Sequence, residues 1–190
     1  MSANDSIVAA ATPIGESAIA VIRVSGTHCS TLCKDALRVP YPTPRRSILA
    51  GYRDMNECLI DDVIFVFYEA KKSYTGEPSL EISSHGNPLI TKKIIEDLVS
   101  RGCRLAEPGE YTKRAFLSGR MDLTQAESVA TLIKASSERA LEVARIQLRG
   151  DLGKKISDLQ SRLLDLQANL EAYIDFPEED LPSEDMKGPP

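Results

Sequence analysis

The stretch EPGEYTKRAFLSGRMDLTQAE, residues 107–127, concentrates charged side chains in one short connection. The carboxylates and cations before its final turn are Glu107, Glu110, Lys113, Arg114 and Arg120. A solvated surface held by ion pairs is the ordinary interpretation of such a cluster. Arg120 differs from the others because Gly119, immediately before it, allows close approach of a ligand or backbone. We therefore treat Arg120 as a candidate binding residue.

Arg23 lies inside the apolar run IAVIRV, residues 19–24, which follows a Pro-x-Gly turn. A cation within such a strand is costly unless it has an acidic partner or a ligand. An edge strand offers the alternative, because there the guanidinium reaches water. Arg23 is the second candidate binding residue, and the edge position stays open at this point.

Glu81 alternates with Leu80 and Ile82 in the run LEISS, so it faces away from them. One interpretation is an ordinary solvated strand face. The other is a carboxylate offered to a fork of N–H donors, such as a guanidinium or the amino-pyrimidinone edge of a pterin. His85, four residues later, is predicted to be a turn residue or a hydrogen-bonded structural histidine.

Neither a metal site nor a nucleotide-binding loop is predicted. The chain has two histidines, and its four cysteines are expected to be reduced and mostly buried, whereas a closed zinc site needs four ligands. These cysteines are Cys29, Cys33, Cys58 and Cys103. The sequence contains no G-x-x-x-x-G-K-[ST] and no G-x-G-x-x-G, so we do not expect these residues to bind GTP or ATP through a P-loop.

The distribution of charged and apolar residues excludes some classes of function. The net charge of −5 arises from Asp175 onward, and the remaining residues balance at 22 cations against 22 acids. A neutral body gives no general attraction for nucleic acid, so any RNA contact must be local or come from another chain. No apolar run is long enough for a membrane helix, and MSANDS lacks the basic start of a signal peptide. A cytoplasmic location is expected.

The first two thirds of the chain predict an α+β fold. Short β-like runs alternate with turns and helical patterns, at residues 7–11, 19–24, 63–70 and 80–84. The clearest helix begins at Asn87 and Pro88, a capping residue followed by proline in the first turn. Its apolar stripe is Ile90, Ile94 and Leu98, and Gly102 ends it.

The sequence after Asp122 predicts almost continuous helix. Thr124 and Glu127 match a capping box, and a second helix is expected from residue 136 or 137 to about Tyr173. Gly150 and Gly153 interrupt its apolar face, either as a weak point or where another backbone comes close. That face needs partners, and the acidic, proline-rich residues 176–190 cannot supply them. We therefore expect an incomplete helical domain.

Four segments in this order resemble the N-terminal part of the MnmE (TrmE) family of tRNA modification GTPases. They are ATPIGESAIAVIRVSG, SYTGEPSLEISSHGNP, EPGEYTKRAFLSGRMDLTQAESVATLI and AYIDFPEED. The resemblance implies a tetrahydrofolate-binding and dimerisation domain at residues 1–121. It further implies the first helices of a central all-α domain at residues 122–175, and a segment leading toward a G domain at residues 176–190.

The activity implied by the resemblance is modification of carbon 5 of the wobble uridine in tRNA, with the flavoprotein MnmG (GidA) as partner. The one-carbon donor would be 5-formyl- or 5,10-methylene-tetrahydrofolate. GTP, Mg²⁺ and K⁺ would belong to the G domain, and FAD and NADH to the partner. The protein would form a homodimer through its N-terminal domain and would have no membrane contact.

Carried over residue by residue, the folate contacts of the family fall on Arg23, Glu81 and Arg120. Glu81 would accept from the pterin N3–H and 2-amino group, and the two arginines would meet the polar or anionic parts. The family usually has lysine at position 120, and Glu16 and Asn87 stand where it tends to have glycine, which suggests a tighter or more polar pocket. A dimerisation scaffold with weakened folate binding and a stand-alone folate-dependent one-carbon transferase are the alternatives.

Overall fold

The computed structural model describes residues 5–175, which form a six-stranded mixed sheet and six helices. The fold is therefore α+β, as predicted. The strands are β1 Ser6–Ala10, β2 Ser17–Ser25, β3 Ser47–Arg53, β4 Leu59–Tyr68, β5 Ser79–Gly86 and β6 Cys103–Leu105. The helices are α1 Cys29–Asp35, α2 Pro88–Ser100, α3 Glu110–Leu117, α4 Leu123–Lys134, α5 Glu138–Leu148 and α6 Asp151–Asp175. Residues 176–190, predicted to lead toward a G domain, lie outside the described part.

The sheet has the order β3-β4-β5-β2-β1-β6, in which only the β1–β6 pair is parallel. Alternation along β2, β4 and β5 turns one set of side chains, such as Ile22, Phe65 and Ile82, into a core shared with α1 and α2. The opposite face of the same strands is only partly covered, and it carries Arg23 and Glu81. The candidate residues thus lie on the sheet face that the core helices leave open.

Helix α2 confirms the strongest local prediction. Asn87 is the N-cap, and its side chain accepts a hydrogen bond from the backbone N–H of Leu89 at 2.8 Å. Pro88 occupies the first turn, where its missing N–H costs nothing. Ile94 and Leu98 are buried in the core, so the predicted apolar stripe faces the sheet.

The N-terminus of α4 differs from the predicted capping box. Asp122, rather than Thr124, is the N-cap, and its carboxylate accepts from the backbone N–H of Gln125 at 2.8 Å. The side chain of Gln125 in turn accepts from the backbone N–H of Asp122 at 2.9 Å. The Asp-x-x-Gln pair therefore takes the role predicted for Thr124 and Glu127, since a carboxylate caps at least as well as a hydroxyl.

The single helix predicted up to Tyr173 is two helices, because the backbone turns at Gly150 with φ +79°. A Cβ at Gly153 would overlap the capping carboxylate of Asp122, and one at Gly150 would lie 3.0 Å from Nε2 of Gln125. Gln125 also donates to the carbonyl of Leu148 at 2.9 Å. Each of the two glycines therefore lies where another group comes close, and that group is a capping side chain of α4 and not a backbone.

Gly150→Ala is expected to lower the free energy of unfolding by about 1–2 kcal/mol, because an L side chain is strained in the left-handed region. Urea unfolding followed by circular dichroism measures the change. Gly15→Ala is the matched control, since no atom lies within 4 Å of the added methyl and its φ is not left-handed. An unchanged urea midpoint for Gly150→Ala would contradict a left-handed backbone turn between α5 and α6.

The apolar face of α6 is exposed throughout, with Leu159, Leu163 and Leu170 each about 60% accessible. In residues 5–175 no element covers it, as the sequence predicted for a face that needs partners. No helix in this part of the chain combines the length and the apolar character needed to cross a membrane.

Three of the four cysteines are buried free thiols, and Cys58 is exposed. Burial raises the pKa of Cys33 to about 12 and that of Cys103 to about 11. These two thiols therefore stay protonated at neutral pH and pack as small apolar side chains.

Candidate functional site

Arg23 and Glu81 face each other directly, because β2 and β5 pair in a register that places their Cα atoms opposite one another. The guanidinium Nε and Nη2 donate to Oε1 of Glu81 at 2.9 and 2.6 Å. Strand β2 lies between β5 and β1, so the edge-strand interpretation of Arg23 was wrong. The cost of placing a cation in a central strand is offset by the acidic partner.

Glu81 retains unused acceptor capacity. The Nε and Nη2 groups of Arg23 both donate to Oε1, whereas within residues 5–175 Oε2 accepts only a long hydrogen bond of 3.3 Å from the hydroxyl of Tyr68. A carboxylate has about four lone-pair positions. Burial, and then the nearby carboxylate, raise the pKa of Tyr68, so this hydroxyl remains a donor at neutral pH. Three of these lone-pair positions are taken, so Oε2 can accept one further N–H group while Arg23 stays in place, and a second one if the long bond from Tyr68 is displaced.

Two aromatic rings flank the guanidinium of Arg23. Its Cζ lies 5.7 Å from the ring centroid of Tyr74 and 5.8 Å from that of Tyr111. The hydroxyl of Tyr111 donates to the carbonyl of Arg23 at 2.6 Å, and that of Tyr74 lies 2.9 Å from Oγ1 of Thr112. Helix α3 thereby fixes the surroundings of the Arg23–Glu81 pair.

A cavity of about 300 Å³ opens on this pair, and its lining includes all three predicted site residues, Arg23, Glu81 and Arg120. Arg120 arrives from the turn after α3, which is tied to the loop before β5 by a 2.6 Å hydrogen bond from Ser118 Oγ to the carbonyl of Thr75. Gly76 has φ +81°, and a Cβ there would lie 2.7 Å from Ser118 Oγ and 3.2 Å from Cγ of Arg120. Glycine is therefore required where the two cavity walls meet.

The cavity lining is strongly cationic. It contains Arg23, Arg45, Lys72 and Arg120 against the single carboxylate of Glu81. Within the part of the chain that the structure describes, neither Arg45 nor Arg120 has a carboxylate at ion-pairing distance. The site is thus suited to a ligand that offers N–H donors at one place and negative charge at another.

An ion cluster around the buried side chains of Arg114 and Glu110 supports this wall, which corrects the prediction that Arg114 is a solvated surface residue. Arg114 donates to Asp5 at 2.6 Å, to Glu110 at 3.0 Å and to Glu77 at 3.1 Å, while Arg104 bridges Asp5 and Glu110 at 2.7 Å each. The side chain of Glu110 is fully buried. The cluster fastens α3 to the start of β1 and to the loop that carries Tyr74.

Hydrogen bonds to Arg104, with further bonds from the Glu107 backbone and Arg114, lower the pKa of Glu110 to about 2. The Arg104 and Arg114 hydrogen bonds likewise lower the pKa of Asp5. Both carboxylates are therefore charged throughout the neutral and mildly acidic range. Sequence reasoning missed this cluster because two of its carboxylates, Asp5 and Glu77, are distant along the chain from the other members.

The other residues singled out in the sequence lie away from the cavity. His85 is exposed and pairs with Asp61, whose carboxylate lies 2.8 Å from Nδ1 and accepts the backbone N–H at 2.8 Å, which agrees with a hydrogen-bonded structural role. Asn87 caps α2, and Glu16 is exposed in the turn before β2. Since neither lines the cavity, only Arg120 among the three departures from the family pattern bears on its shape.

Comparison with known proteins agrees with this architecture. The family model described as "GTP-binding protein TrmE N-terminus" matches residues 6–120, and the "MnmE helical domain" matches residues 123–188. The chain belongs to the MnmE (TrmE) family. It carries the N-terminal and helical domains of that family.

Curated MnmE relatives are similar over nearly the whole chain. Proteins named tRNA modification GTPase MnmE from Opitutus terrae and Aquifex aeolicus are 50% and 49% identical over 180 and 182 residues, in each case 95% of this chain. The one from Akkermansia muciniphila is 46% identical over 178 residues, or 92% of the chain. The chain spans about 40% of the length of these relatives.

In this MnmE-family chain the tyrosines and two of the cavity cations were missed by sequence reasoning. They are Tyr68, Tyr74, Tyr111, Arg45 and Lys72. Tyr74 and Tyr111 lie in the two segments that also supply Glu81 and Arg120, which was the available signal. Arg45 reaches the cavity from the loop before β3, and no local sequence pattern predicts a role for it there.

Tyr111→Phe is expected to lower the free energy of unfolding by about 1 kcal/mol, because it leaves the carbonyl of Arg23 without the hydroxyl donor. Burial raises the pKa of Tyr111, so ionisation does not complicate the comparison at neutral pH. Chemical unfolding of the variant and of Tyr41→Phe, a control at a fully exposed tyrosine, measures the difference. Equal stabilities would contradict a structural hydrogen bond at this position.

Proposed function

We propose that the cavity binds a reduced folate, with Glu81 accepting hydrogen bonds from the N3–H and 2-amino group of the pterin. The observation that carries the proposal is the free acceptor capacity of a half-buried carboxylate whose partner, Arg23, occupies only one oxygen. The two neighbouring N–H donors of the pterin would share Oε2, as Nε and Nη2 of Arg23 share Oε1.

Arg23 and Arg120 would meet the polar or anionic parts of the ligand. Arg120 supports this role because it lines the cavity without a carboxylate partner in residues 5–175. Tyr68 and Tyr74, which line the cavity, would give the flat ring aromatic neighbours. The ligand would be 5-formyl- or 5,10-methylene-tetrahydrofolate.

We further propose that the chain acts within a tRNA-modifying GTPase, as the names of its relatives suggest, in the cytoplasm and as a homodimer. Exposed apolar side chains on the open sheet face, Ile19, Leu49 and Ile64, favour such an association. The modified position would be carbon 5 of the wobble uridine of tRNA, with MnmG supplying FAD and NADH. GTP, Mg²⁺ and K⁺ would bind residues other than these 190, which contain no P-loop motif.

Calorimetric titration of the 190-residue chain with 5-formyl-tetrahydrofolate, together with its mass by light scattering, tests the proposal. We expect a dimer that binds at micromolar or lower Kd, and Arg23→Ala to abolish binding. A folded dimer without affinity for the folate would contradict the binding proposal and leave a dimerisation scaffold. Aminomethyl-donor turnover without tRNA or GTP would instead indicate a stand-alone one-carbon transferase.

A further inference from the structure

Two cations at one side of the cavity have no role in holding a pterin. Arg45 and Lys72 line the cavity beside Tyr68, whose hydroxyl reaches Glu81. Arg45 lies next to the end of β4, because its backbone N–H donates to the carbonyl of Phe67 at 2.8 Å. Glu81, Tyr68 and Arg45 therefore follow one another along the cavity, from the carboxylate to the cationic side.

The guanidinium of Arg45 is held in position without being neutralised. Its Nη2 donates to the carbonyl of Lys72 at 3.1 Å, which joins the loop before β3 to the loop after β4. The backbone of Arg45 adopts φ +60°, an uncommon conformation for a residue other than glycine. The exposed guanidinium of Arg45 thus lies at the cavity, and no carboxylate of residues 5–175 pairs with it.

The ion pair that Lys72 makes with its own partner is weak. Its ammonium lies 3.0 Å from Oε2 of Glu69, but both side chains are largely exposed. Exposed pairs of this kind contribute little and exchange readily with another anion. Both cations can therefore turn to a ligand that carries carboxylates.

We propose that Arg45 and Lys72 form a subsite for the oligo-γ-glutamyl tail of a folate. This inference rests on the folate-binding function proposed above and adds a preference for polyglutamylated ligands. The pterin would occupy the Glu81 side, and successive tail carboxylates would reach the two cations. A single glutamate has too few carboxylates to pair with Arg120, Arg45 and Lys72 together, whereas a longer tail has enough.

RNA phosphate is the other anion to which such cations could respond. It is disfavoured because the cations converge on a small cavity that also contains Glu81, and because residues outside the acidic C-terminal run have no excess positive charge. Binding of RNA needs a basic surface that meets several phosphates along a strand.

The experiment compares the Kd of 5-formyl-tetrahydrofolate with that of its tri-γ-glutamate for the 190-residue chain. We expect the tri-γ-glutamate to bind about tenfold more tightly, since each of two exposed ion pairs gives a few-fold gain. Arg45→Gln and Lys72→Gln should each remove most of this ratio, and salt should weaken it. Arg46→Gln and Lys71→Gln are matched controls, because these neighbouring cations do not line the cavity. Their ratios should stay unchanged.

The outcomes separate the two proposals. Micromolar binding of both folates with equal Kd would overturn the tail subsite and leave the folate site intact. Absence of binding by either ligand would overturn both. Loss of affinity for a tRNA transcript in Arg45→Gln and Lys72→Gln, without any tail preference in the wild type, would assign these cations to RNA. If Arg45→Gln fails to fold, Lys72→Gln, an exposed substitution, provides the same test.

Discussion

Glu81→Gln is expected to lower the affinity for 5-formyl-tetrahydrofolate by about a hundredfold. The amide keeps the shape of the side chain but offers one acceptor oxygen instead of two, and it carries no charge. A hydrogen bond to a charged group contributes about 1.5–3 kcal/mol, so losing one or two of them gives an effect of this size. Isothermal titration calorimetry measures the two dissociation constants directly.

The same substitution also removes the charge partner of Arg23, so loss of fold must be separated from loss of binding. Thermal unfolding of the variant provides this separation, and we expect a folded protein because Arg23 is about one third exposed and can reach water. Glu16→Gln, at an exposed carboxylate outside the cavity, is the control and should bind like the wild type. Full affinity in Glu81→Gln would contradict the pterin contact.

Glu110→Gln is expected to lower the free energy of unfolding by about 3 kcal/mol, the lower end for breaking a buried ion pair. We expect a loss of stability at the lower end of that range because Arg114 still pairs with Asp5 and Glu77 in the variant. The fully buried Glu110 carboxylate also accepts the backbone N–H of Glu107 and a hydrogen bond from Arg104. Urea unfolding measures the loss, and Glu107→Gln at an exposed position should show none.

The effect of Glu110→Gln depends on pH in a defined direction. Because the folded protein lowers the pKa of Glu110 from 4.5 to about 2, its stabilising contribution is complete above pH 4.5. That contribution declines as the pH falls toward 2, where the folded carboxyl takes up a proton. The stability gap between wild type and Glu110→Gln should therefore narrow below about pH 4.5. A gap that stays constant between pH 7 and 3 would contradict the charged cluster.

Local patterns were sufficient for the parts of the fold that local interactions determine. Alternation of Leu80, Glu81 and Ile82 predicted which side of β5 faces the core, and Asn87 with Pro88 located the start of α2. The prediction of one helix up to Tyr173 was wrong at Gly150, because the turn there depends on a tertiary contact as well as on the backbone. The packing of Asp122 and Gln125 against the α5–α6 junction adds to the left-handed φ of Gly150 in favouring glycine there.

The candidate site was predicted as three separate residues, and the structure adds the relations between them. Arg23 and Glu81 are 58 positions apart, and only the register of β2 against β5 makes them partners. Arg114 looked like a surface cation because two of its three carboxylate partners, Asp5 and Glu77, are distant along the chain. Strand register and the packing of α3 are long-range outcomes that residue spacing does not encode.

A crystal structure of the 190-residue chain grown with 5-formyl-tetrahydrofolate tests the central claim most directly. We expect the pterin in the cavity, with its N3 and 2-amino nitrogens within hydrogen-bonding distance of the Glu81 carboxylate and with Arg120 beside the ligand. A folate bound outside this cavity, or bound there with the opposite edge of the pterin toward Glu81, would contradict this claim.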